Sequence, residues 1–327
     1  MERPCVRVPR SAGERVRREL ADADVIDTDA KIAVSDGWLY IPVTDTDNLP
    51  VAFPVEHRSV EPRNTQTLPG DILGEAPSYE RLGDIALVDE DDPDCARRVA
   101  TALMQSSLPI RSVLNARSKV KGEHRIREWE LLAGEETETV HREYGVELLL
   151  DVTKVYFSPR LATERRRVVE QVTPDEHVFD MFAGVGPFAI PIAKRGAEVV
   201  AVDLNEAAVA YLEKNARRNE VASRIAAIHG DVRDVGAEYA GWADRIIMNL
   251  PHSAAQFLET AGHIAGDDAI IHYYDIQPDG APFSPGEQAI RATLGSMYDI
   301  EILERKEVRS YAPHEVNICL DVRLTAR

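Results

Sequence analysis

Short apolar runs alternate with segments of helical periodicity in the second half of the chain, most clearly across residues 177–203. The pattern there predicts a strand, a glycine turn, a helix and a second strand, at 178–182, 183–186, 187–196 and 199–203. Gly184 and Gly186 lie in the turn, and Asp203 ends the second strand. This order is typical of a βαβ unit in which glycines let the backbone approach a ligand and an acid meets that ligand at the strand tip.

The same alternation continues through the rest of the sequence. It predicts three helices and three strands, at 206–219, 253–261 and 285–295 and at 225–231, 244–250 and 269–274. Two further strands, near 300–309 and 315–324, have no helix between them, so we expect them to pair antiparallel. Residues 166–327 therefore predict an α/β, Rossmann-like domain with a mostly parallel seven-stranded sheet whose last strand is antiparallel.

The first half of the chain predicts two smaller α+β modules. Residues 1–55 form the first, with a helix opened by a capping box at Ser11 and Glu14. Residues 56–75 are polar and rich in turn formers, which favours a linker. Residues 76–165 form the second module, with a helix at 94–104 and strands at 85–88, 112–116 and 147–157.

Composition narrows the class of protein. The net charge is −18, which argues against a general binder of polyanions, and no run of 18 apolar residues is present to span a membrane. The start of the chain has no apolar signal segment, and the three cysteines lack the spacing of a zinc site. We therefore expect a cytoplasmic protein without a bound metal. The acidic surface, poor in lysine, resembles that of proteins from salt-loving organisms.

Basic residues are nevertheless clustered at two places. Six arginines fall within the first 18 residues, and a second basic run lies at 117–127. The first cluster fits either a solvated helix face or an appendage that contacts phosphate. The second is too polar to be part of a core.

Polar side chains end four of the predicted strands, and ligands bind at that edge of an open α/β sheet. These side chains are Asp180, Asp203, Asp231 and Asn249. Asp203 can accept from both ribose hydroxyls, Asp180 can face a ligand ammonium, and Asp231 with Val232 suits an adenine edge. A ribose site alone does not distinguish NAD from S-adenosylmethionine. The absence of a third glycine from the turn, together with the strand-tip acids, favours S-adenosylmethionine.

Six motifs carry a resemblance to a known family. They are YFSPRLATER from Tyr156, DMFAGVGPF from Asp180, NLPHS from Asn249, GEHRIRE from Gly122, LLAGE from Leu131 and RSYAP from Arg309. Together they resemble the archaeal and eukaryotic tRNA (guanine(37)-N1)-methyltransferases, which are class I S-adenosylmethionine-dependent enzymes. The resemblance covers the chain from about residue 110 onward. It implies three domains: a reader of the tRNA elbow, a middle substrate domain and a class I methyltransferase domain.

The resemblance also implies roles in catalysis. Glu164 matches the general base that removes the guanine N1 proton as the methyl group arrives. Arg125 matches the arginine that stabilises negative charge on guanine O6, with Arg127 as the competing alignment two positions later. Asn249 would hold the base edge. Tyr156 and Arg160 would shape the pocket and hold the target nucleotide.

The implied cofactor contacts lie on several segments of the methyltransferase domain and its approach. They are Arg165, Asp203–Leu204, Asp231–Val232 and Asn249, with Gly184 in the turn and Asp180 before it. His252 and Tyr311 are interpreted as structural residues. The expected partner is tRNA, contacted at the anticodon loop and the elbow by a monomeric enzyme.

Other functions remain open. A relative on the same scaffold transfers the aminocarboxypropyl group of S-adenosylmethionine to a wyosine precursor at the same tRNA position, and some archaeal members methylate a wyosine intermediate. An RNA-binding protein without catalytic activity is a more remote alternative. The presence of Glu164 and of Asn249-Leu250-Pro251 favours the guanine methyltransferase.

Overall fold

The computed structural model describes residues 1–63, 66–118 and 127–327. These residues form two compact units: Met1–Leu68 with Ser106–Leu108, and Pro69–Gln105 with Pro109–Arg327. The division into three domains at residues 55, 75 and 165 stays a prediction. No helix among the described residues is long and apolar enough to cross a membrane.

The first unit contains a four-stranded antiparallel sheet and a helix. Its elements are β1 (Glu2–Pro9), α1 (Gly13–Asp22), β2 (Ala33–Ser35), β3 (Trp38–Pro42) and β4 (Val55–Ser59). The strand order is β2-β3-β1-β4. Strand β4 pairs with β1, so the first residues of the predicted linker belong to this sheet. Its polar sequence fits an edge strand, where charged side chains face solvent.

Helix α1 starts without the predicted capping box. Residues 10–12 form a short 3-10 turn, Ala12 is the N-cap, and no side chain caps the helix. Ser11 lies inside that turn rather than in the extended conformation that a capping side chain needs. The helix is held instead by its apolar face, because Val16 and Leu20 are fully buried in the core of the unit.

Up to residue 151, the second unit forms a mixed sheet, a hairpin and two helices. Their elements are α2 (Pro69–Leu73), β5 (Glu80–Leu82), β6 (Ile85–Val88), α3 (Pro93–Gln105), β7 (Ser112–Ala116), β8 (Trp129–Ala133), β9 (Glu138–Glu143) and β10 (Val146–Asp151). The sheet order is β5-β6-β7-β8, and β6 runs parallel to β7. Strands β9 and β10 pair antiparallel.

The strand predicted at 147–157 ends at Asp151. The Asp151 carboxylate accepts from the Thr153 N–H at 2.9 Å, which turns the chain away from the extended conformation. Tyr156 and Phe157 therefore lie in a loop, and their side chains are free of the alternation that a strand would impose.

The rest of the second unit is a seven-stranded sheet with helices. Its strands are β11 (His177–Asp180), β12 (Glu198–Asp203), β13 (Ile225–His229), β14 (Ala243–Met248), β15 (Ala265–Pro278), β16 (Tyr298–Ala312) and β17 (Glu315–Ala326). Its helices are α4 (Ala162–Gln171), α5 (Ala189–Lys194), α6 (Glu206–Arg218), α7 (Val232–Gly236), α8 (Leu258–Ile264) and α9 (Ser284–Leu294). The order is β13-β12-β11-β14-β15-β17-β16, and β17 runs antiparallel to both neighbours. The predicted fold class is confirmed.

Alternate side chains of the parallel strands fill two cores. Val178 and Ile247 belong to one apolar cluster, whereas their chain neighbours Phe179 and Ile246 belong to the other. A sheet buried on both faces reads as continuous apolar runs, which is why these strands were clear in the sequence. The last three strands are longer than their patterns predicted, and β15 continues to Pro278 against β17 after its pairing with β14 ends at Tyr273.

Candidate active site

A cavity of about 720 Å³ lies at the carboxyl ends of β11, β12, β13 and β14. Eight of the predicted site residues line it: Tyr156, Arg165, Gly184, Asp203, Leu204, Asp231, Val232 and Asn249. They come from the ends of β12, β13 and β14, the glycine turn after β11, the loop before α4 and the first turns of α4 itself, and the topology of the sheet brings the strand ends to one edge.

The glycine turn is fixed by its own geometry. Gly184 and Gly186 have positive φ angles of 53° and 92°, and a Cβ atom on Gly186 would lie 2.5 Å from Leu212 Cδ1. The Gly184 N–H donates to Asp203 Oδ2 at 2.7 Å, and the Asn205 N–H donates to Asp203 Oδ1 at 2.8 Å. Two backbone donors therefore orient the Asp203 carboxylate while it faces the cavity.

Asp180 ends β11 just before the glycine turn and is not among the residues that line the cavity. It is 1% exposed, and neither carboxylate oxygen accepts a hydrogen bond of good geometry from the described residues. Burial raises the pKa of Asp180 to about 7; the backbone N–H groups of Phe182 and Ala189 oppose this rise, and the negative charge of Asp203 adds to it. A buried carboxyl group without a partner is suited to meet a cation.

Two asparagines share this property at the cavity itself. Asn249 Oδ1 and Asn317 Oδ1 are buried without a hydrogen-bond partner in the described part of the chain. Asn249 follows β14, and Asn317 lies on β17. Both could accept a hydrogen bond from a ligand.

Asp231, in contrast, is already occupied. It caps α7 by accepting from the Arg233 N–H at 2.9 Å, and its carboxylate is also ion-paired with the Arg233 guanidinium. The hydrogen bond from Arg233 lowers the pKa of Asp231. An adenine amine would have to share this carboxylate with Arg233.

Arg165 is 3% exposed and holds the cavity wall together. Its guanidinium donates to Glu143 at 2.7 and 2.6 Å and to the Ser158 carbonyl at 3.1 Å, and it lies 5.1 Å from the Phe157 ring centroid. The buried ion pair fixes the loop that carries Tyr156, Phe157 and Ser158 beside the cavity.

A second cavity of about 250 Å³ adjoins the first, because five residues line both: Tyr156, Phe157, Ser158, Arg309 and Tyr311. Arg127 and Arg160 line only the second cavity, where they are ion-paired with Asp89 at 3.2 Å and with Glu80 at 3.1 Å. Trp129 and Tyr79 add aromatic surface. Arg125 lies outside the described residues.

Glu164 lines neither cavity and is 6% exposed. It lies in the first turn of α4, between Leu161 and Arg165 of the first cavity's lining. Its carboxylate accepts from Arg167 at 2.7 and 2.9 Å and from the Tyr274 hydroxyl at 2.9 Å. The side chain that the resemblance identifies as the general base is therefore bonded within the protein and lies outside both cavities.

Three family models match this sequence. The TRM5/TYW2 methyltransferase domain matches residues 139–297, the tRNA methyltransferase 5 N-terminal domain matches residues 5–48, and the TYW2 N-terminal domain matches residues 65–137. The curated tRNA (guanine(37)-N(1))-methyltransferase Trm5b of Pyrococcus abyssi is 39% identical over 334 residues, which cover 98% of this chain and 98% of the relative. The chain belongs to the tRNA (guanine(37)-N1)-methyltransferase family.

Solved structures agree with this assignment to the family. The complex of aTrm5 and tRNALeu is similar with a TM-score of 0.78 and 32% identity, covering 98% of this chain and 99% of that chain. TYW2 of P. horikoshii in complex with MeSAdo has a TM-score of 0.68 and 33% identity, covering 79% of this chain and 95% of that chain. The prediction of an S-adenosylmethionine-dependent methyltransferase is confirmed.

The structure of this family member also adds residues that sequence reasoning missed. Arg309 and Asn317 line the first cavity, and His252 and Tyr311, interpreted as structural, line it too with their rings 5.3 Å apart. Two motifs contained three of them, since Arg309 and Tyr311 are part of RSYAP and His252 is part of NLPHS. Asn317 belongs to none of the motifs and lies inside the strand predicted near 315–324, so nothing in the sequence singled it out.

Proposed function

We propose that this protein transfers the methyl group of S-adenosylmethionine to N1 of guanine 37 in tRNA. The observation that carries the proposal is the pair of adjoining cavities, one with buried acceptors at the strand tips and one lined by aromatic and basic side chains. Full-length similarity to the Pyrococcus abyssi methyltransferase supports the choice of substrate.

In this proposal the first cavity holds S-adenosylmethionine. Asp203 accepts from the ribose hydroxyls, Asp231 and Val232 meet the adenine, and Asp180 faces the ammonium group. Gly184 keeps the turn close to the ligand, while Leu204 and Arg165 line the wall. The partnerless carboxylate of Asp180 supports its role, because a buried carboxylate is stabilised by an adjacent cation.

The second cavity would receive the target nucleotide. Tyr156 lines both cavities, and Arg160 and Arg127 are paired with acids that a phosphate could replace. Arg309 lines both cavities too, and its buried Nε has no partner among the described residues, so it could donate to phosphate or to guanine O6. Arg125 or Arg127 is the alternative donor to O6.

The reaction exchanges one bond for another and releases a proton. Guanine N1 forms a bond to the methyl carbon while the carbon–sulfur bond breaks, and the sulfonium becomes a neutral thioether. We assign removal of the N1 proton to Glu164, which acts as the general base. We assign binding of the guanine edge to Asn249. Because the Glu164 carboxylate is bound to Arg167 and Tyr274, it must turn toward the cavity when the nucleotide enters.

Transfer of the aminocarboxypropyl group is the rival on this scaffold. The structure of TYW2 covers 79% of this chain, whereas the methyltransferase Trm5b covers 98% and the model of its N-terminal domain matches residues 5–48. These matches favour methyl transfer. Action on a wyosine intermediate would use the same cavities.

One assay tests the proposal directly. Transcripts that carry guanine or adenine at position 37 are incubated with S-adenosylmethionine labelled in its methyl group. The mass of the modified nucleoside is then measured by mass spectrometry. We expect methylation of the guanine transcript alone. A product with the mass of an aminocarboxypropyl group, or equal labelling of both transcripts, would overturn the proposal.

We further propose that a monomer contacts the tRNA at the anticodon loop with its two cavities and at the elbow with its N-terminal module. Five of the six arginines of that module are ion-paired: Arg3, Arg7, Arg15, Arg17 and Arg18. Exposed ion pairs of this kind are weak, so phosphates can displace the acids. Light scattering of the protein alone tests the monomer.

Removal of Met1–Leu68 tests the elbow contact. We expect tRNA binding to weaken about tenfold or more at low salt and the loss to shrink as salt rises, because phosphate contacts are salt-dependent. Single-turnover methylation at saturating tRNA should change much less. Equal affinity of the shortened and full chains at every salt concentration would contradict the contact.

A further inference from the structure

The partner of Glu164, Arg167, is shared with other acids. Besides Glu164, the Arg167 guanidinium donates to Asp321 at 2.6 and 3.1 Å and to Glu304 at 2.7 Å. Glu164 and Asp321 are almost fully buried, whereas the side chain of Glu304 is 45% exposed. One partly buried cation thus lies between two buried carboxylates.

Asp321 is itself fixed from its other side. It accepts from His272 Nδ1 at 2.7 Å and from Gln171 Nε2 at 3.0 Å. Arg245 donates to His272 Nε2 at 2.7 Å, so His272 is the neutral tautomer with its proton on Nδ1. Burial lowers the pKa of His272, which agrees with a neutral ring.

The same contacts keep Asp321 ionised. Burial alone would raise the pKa of Asp321, but the hydrogen bonds from His272 and Arg167 hold it well below its usual range. Cys319 also donates to Asp321, at 3.3 Å. The cluster of His272, Cys319 and Asp321 does not suit a metal ion, because Arg167 and Gln171 already donate to the carboxylate that would bind it.

We propose that Asp321 is a positioning residue that retains Arg167 when Glu164 turns toward the target base. This inference rests on the proposed role of Glu164 as general base. Leaving a buried charge without its partner is strongly unfavourable, so a carboxylate paired with one buried arginine cannot leave it easily. Asp321 removes this obstacle, because Arg167 keeps a buried, ionised partner after Glu164 has turned away.

Tyr274 offers a contrast with Asp321. Its hydroxyl donates to Glu164 Oε1, which also accepts from Arg167 Nη2, and the residue is 1% exposed. It stabilises the inward position of Glu164 without offering Arg167 a new partner. Loss of Asp321 should therefore slow the chemical step, whereas loss of the Tyr274 hydroxyl should not slow it.

The test is a double-mutant cycle read by single-turnover methyl transfer. We expect Asp321→Asn to slow the bound chemical step about tenfold or more, with the affinities for S-adenosylmethionine and tRNA unchanged within about twofold. In a Glu164→Gln background the same change should cost nothing further, since Asp321 acts only through Glu164. Tyr274→Phe should leave the rate equal or raise it a few-fold.

Matched measurements separate this idea from a loss of folding. Asp84→Asn is the control, because Asp84 accepts from Arg111 and Thr139 and lines neither of the two adjoining cavities. We expect it to leave the rate unchanged. If Asp321→Asn does not fold, Tyr274→Phe decides alone, and a fall of tenfold in its rate would overturn the inference.

The outcomes also separate the inference from the function on which it rests. A slow Glu164→Gln enzyme with a normal Asp321→Asn enzyme would refute the role of Asp321 and leave the general base intact. Additive losses in the double variant would likewise refute it. A normal rate in Glu164→Gln would remove the base itself, and the inference with it.

Discussion

Two buried polar regions in the methyltransferase domain differ in how many of their polar atoms have hydrogen-bond partners. At the strand tips, oxygens of Asp180, Asn249 and Asn317 have no partner among the described residues. In the network that joins Glu164, Arg167 and Asp321, each carboxylate accepts a hydrogen bond at both of its oxygens. Unpaired buried groups are costly, so the first region is built for a ligand and the second for internal order.

Glu164→Gln tests whether the network of Glu164, Arg167 and Asp321 also takes part in methyl transfer. We expect this variant to have the largest effect on the rate. The amide keeps the size of the side chain but cannot accept the guanine proton. We expect the single-turnover rate to fall by about 10²–10⁴-fold, the usual contribution of a general base. Rapid-quench measurement of labelled methyl transfer gives the rate, and titrations should show S-adenosylmethionine and tRNA bound as before. A near-normal rate would make the network purely structural.

Asp203→Asn tests the ligand region at a carboxylate that is oriented by two backbone donors. The amide can still accept from the Gly184 or Asn205 N–H, so the turn should persist. Weakening a charge-assisted hydrogen bond to the ribose should cost about 1.5–3 kcal/mol, or roughly ten- to hundredfold in affinity. Calorimetric titration with S-adenosylmethionine measures the loss. An unchanged affinity would place the ribose elsewhere.

Asp180→Asn tests the partnerless carboxylate through pH. Cofactor binding that needs the ionised form should strengthen as pH rises toward about 7 in the unaltered protein, by at most about tenfold per pH unit, and should level off above that pH. The variant should bind more weakly at pH 8, with an affinity that no longer changes with pH. Titrations at pH 6, 7 and 8 compare the two, and parallel pH profiles would exclude the ammonium contact.

The same variant carries a signature in stability. Because the pKa of Asp180 is raised in the folded chain, folding retains a proton that the unfolded chain loses above its ordinary pKa near 4. Stability contributed by this group is therefore present below that value and is lost as pH rises to about 7. Asp180→Asn should flatten this part of the thermal-melting profile.

Arg233→Ala should give the smallest effect, and an opposite one. Arg233 occupies the carboxylate of Asp231, which we assign to the adenine. Because exposed ion pairs are weak, its removal should raise the affinity for S-adenosylmethionine by only about two- to fivefold. Arg224→Ala is a matched control, since Arg224 pairs with Glu198 and does not line the first cavity. A weaker affinity would mean that Arg233 contacts the cofactor directly.

The sequence was most informative where one residue's environment is set by its immediate neighbours. Parallel strands buried on both faces produce unbroken apolar runs, so β11, β12 and β14 and the polar residues after them could be located. The short-range turn at Asp151 could not, because the apolar residues beyond it continued the strand pattern. The cap of α1 was also misplaced, since a 3-10 turn took up Ser11.

Long-range contacts were beyond the reach of local patterns. The partners of Glu164 include Tyr274, which lies 110 residues away in sequence, and Arg167 reaches Asp321 over 154 residues. Glu164 in TERRR reads locally as a helix acid paired with Arg167, and that pair does exist. Nothing in the pattern showed that the pair is buried and shared. The roles of the site residues stay predictions for the experiments above.

The place of β17 in the sheet has a consequence for synthesis. It is the last of the seven strands to leave the ribosome, yet it lies between β15 and β16 and carries both Asn317 and Asp321. A nascent chain that lacks this strand has the glycine turn and the strand-tip acids. It lacks the part of the cavity lining that Asn317 supplies and the carboxylate of Asp321 that pairs with Arg167. Domains fold as units during translation, so a chain stalled before β17 should not methylate tRNA, however much of the cofactor site it already contains.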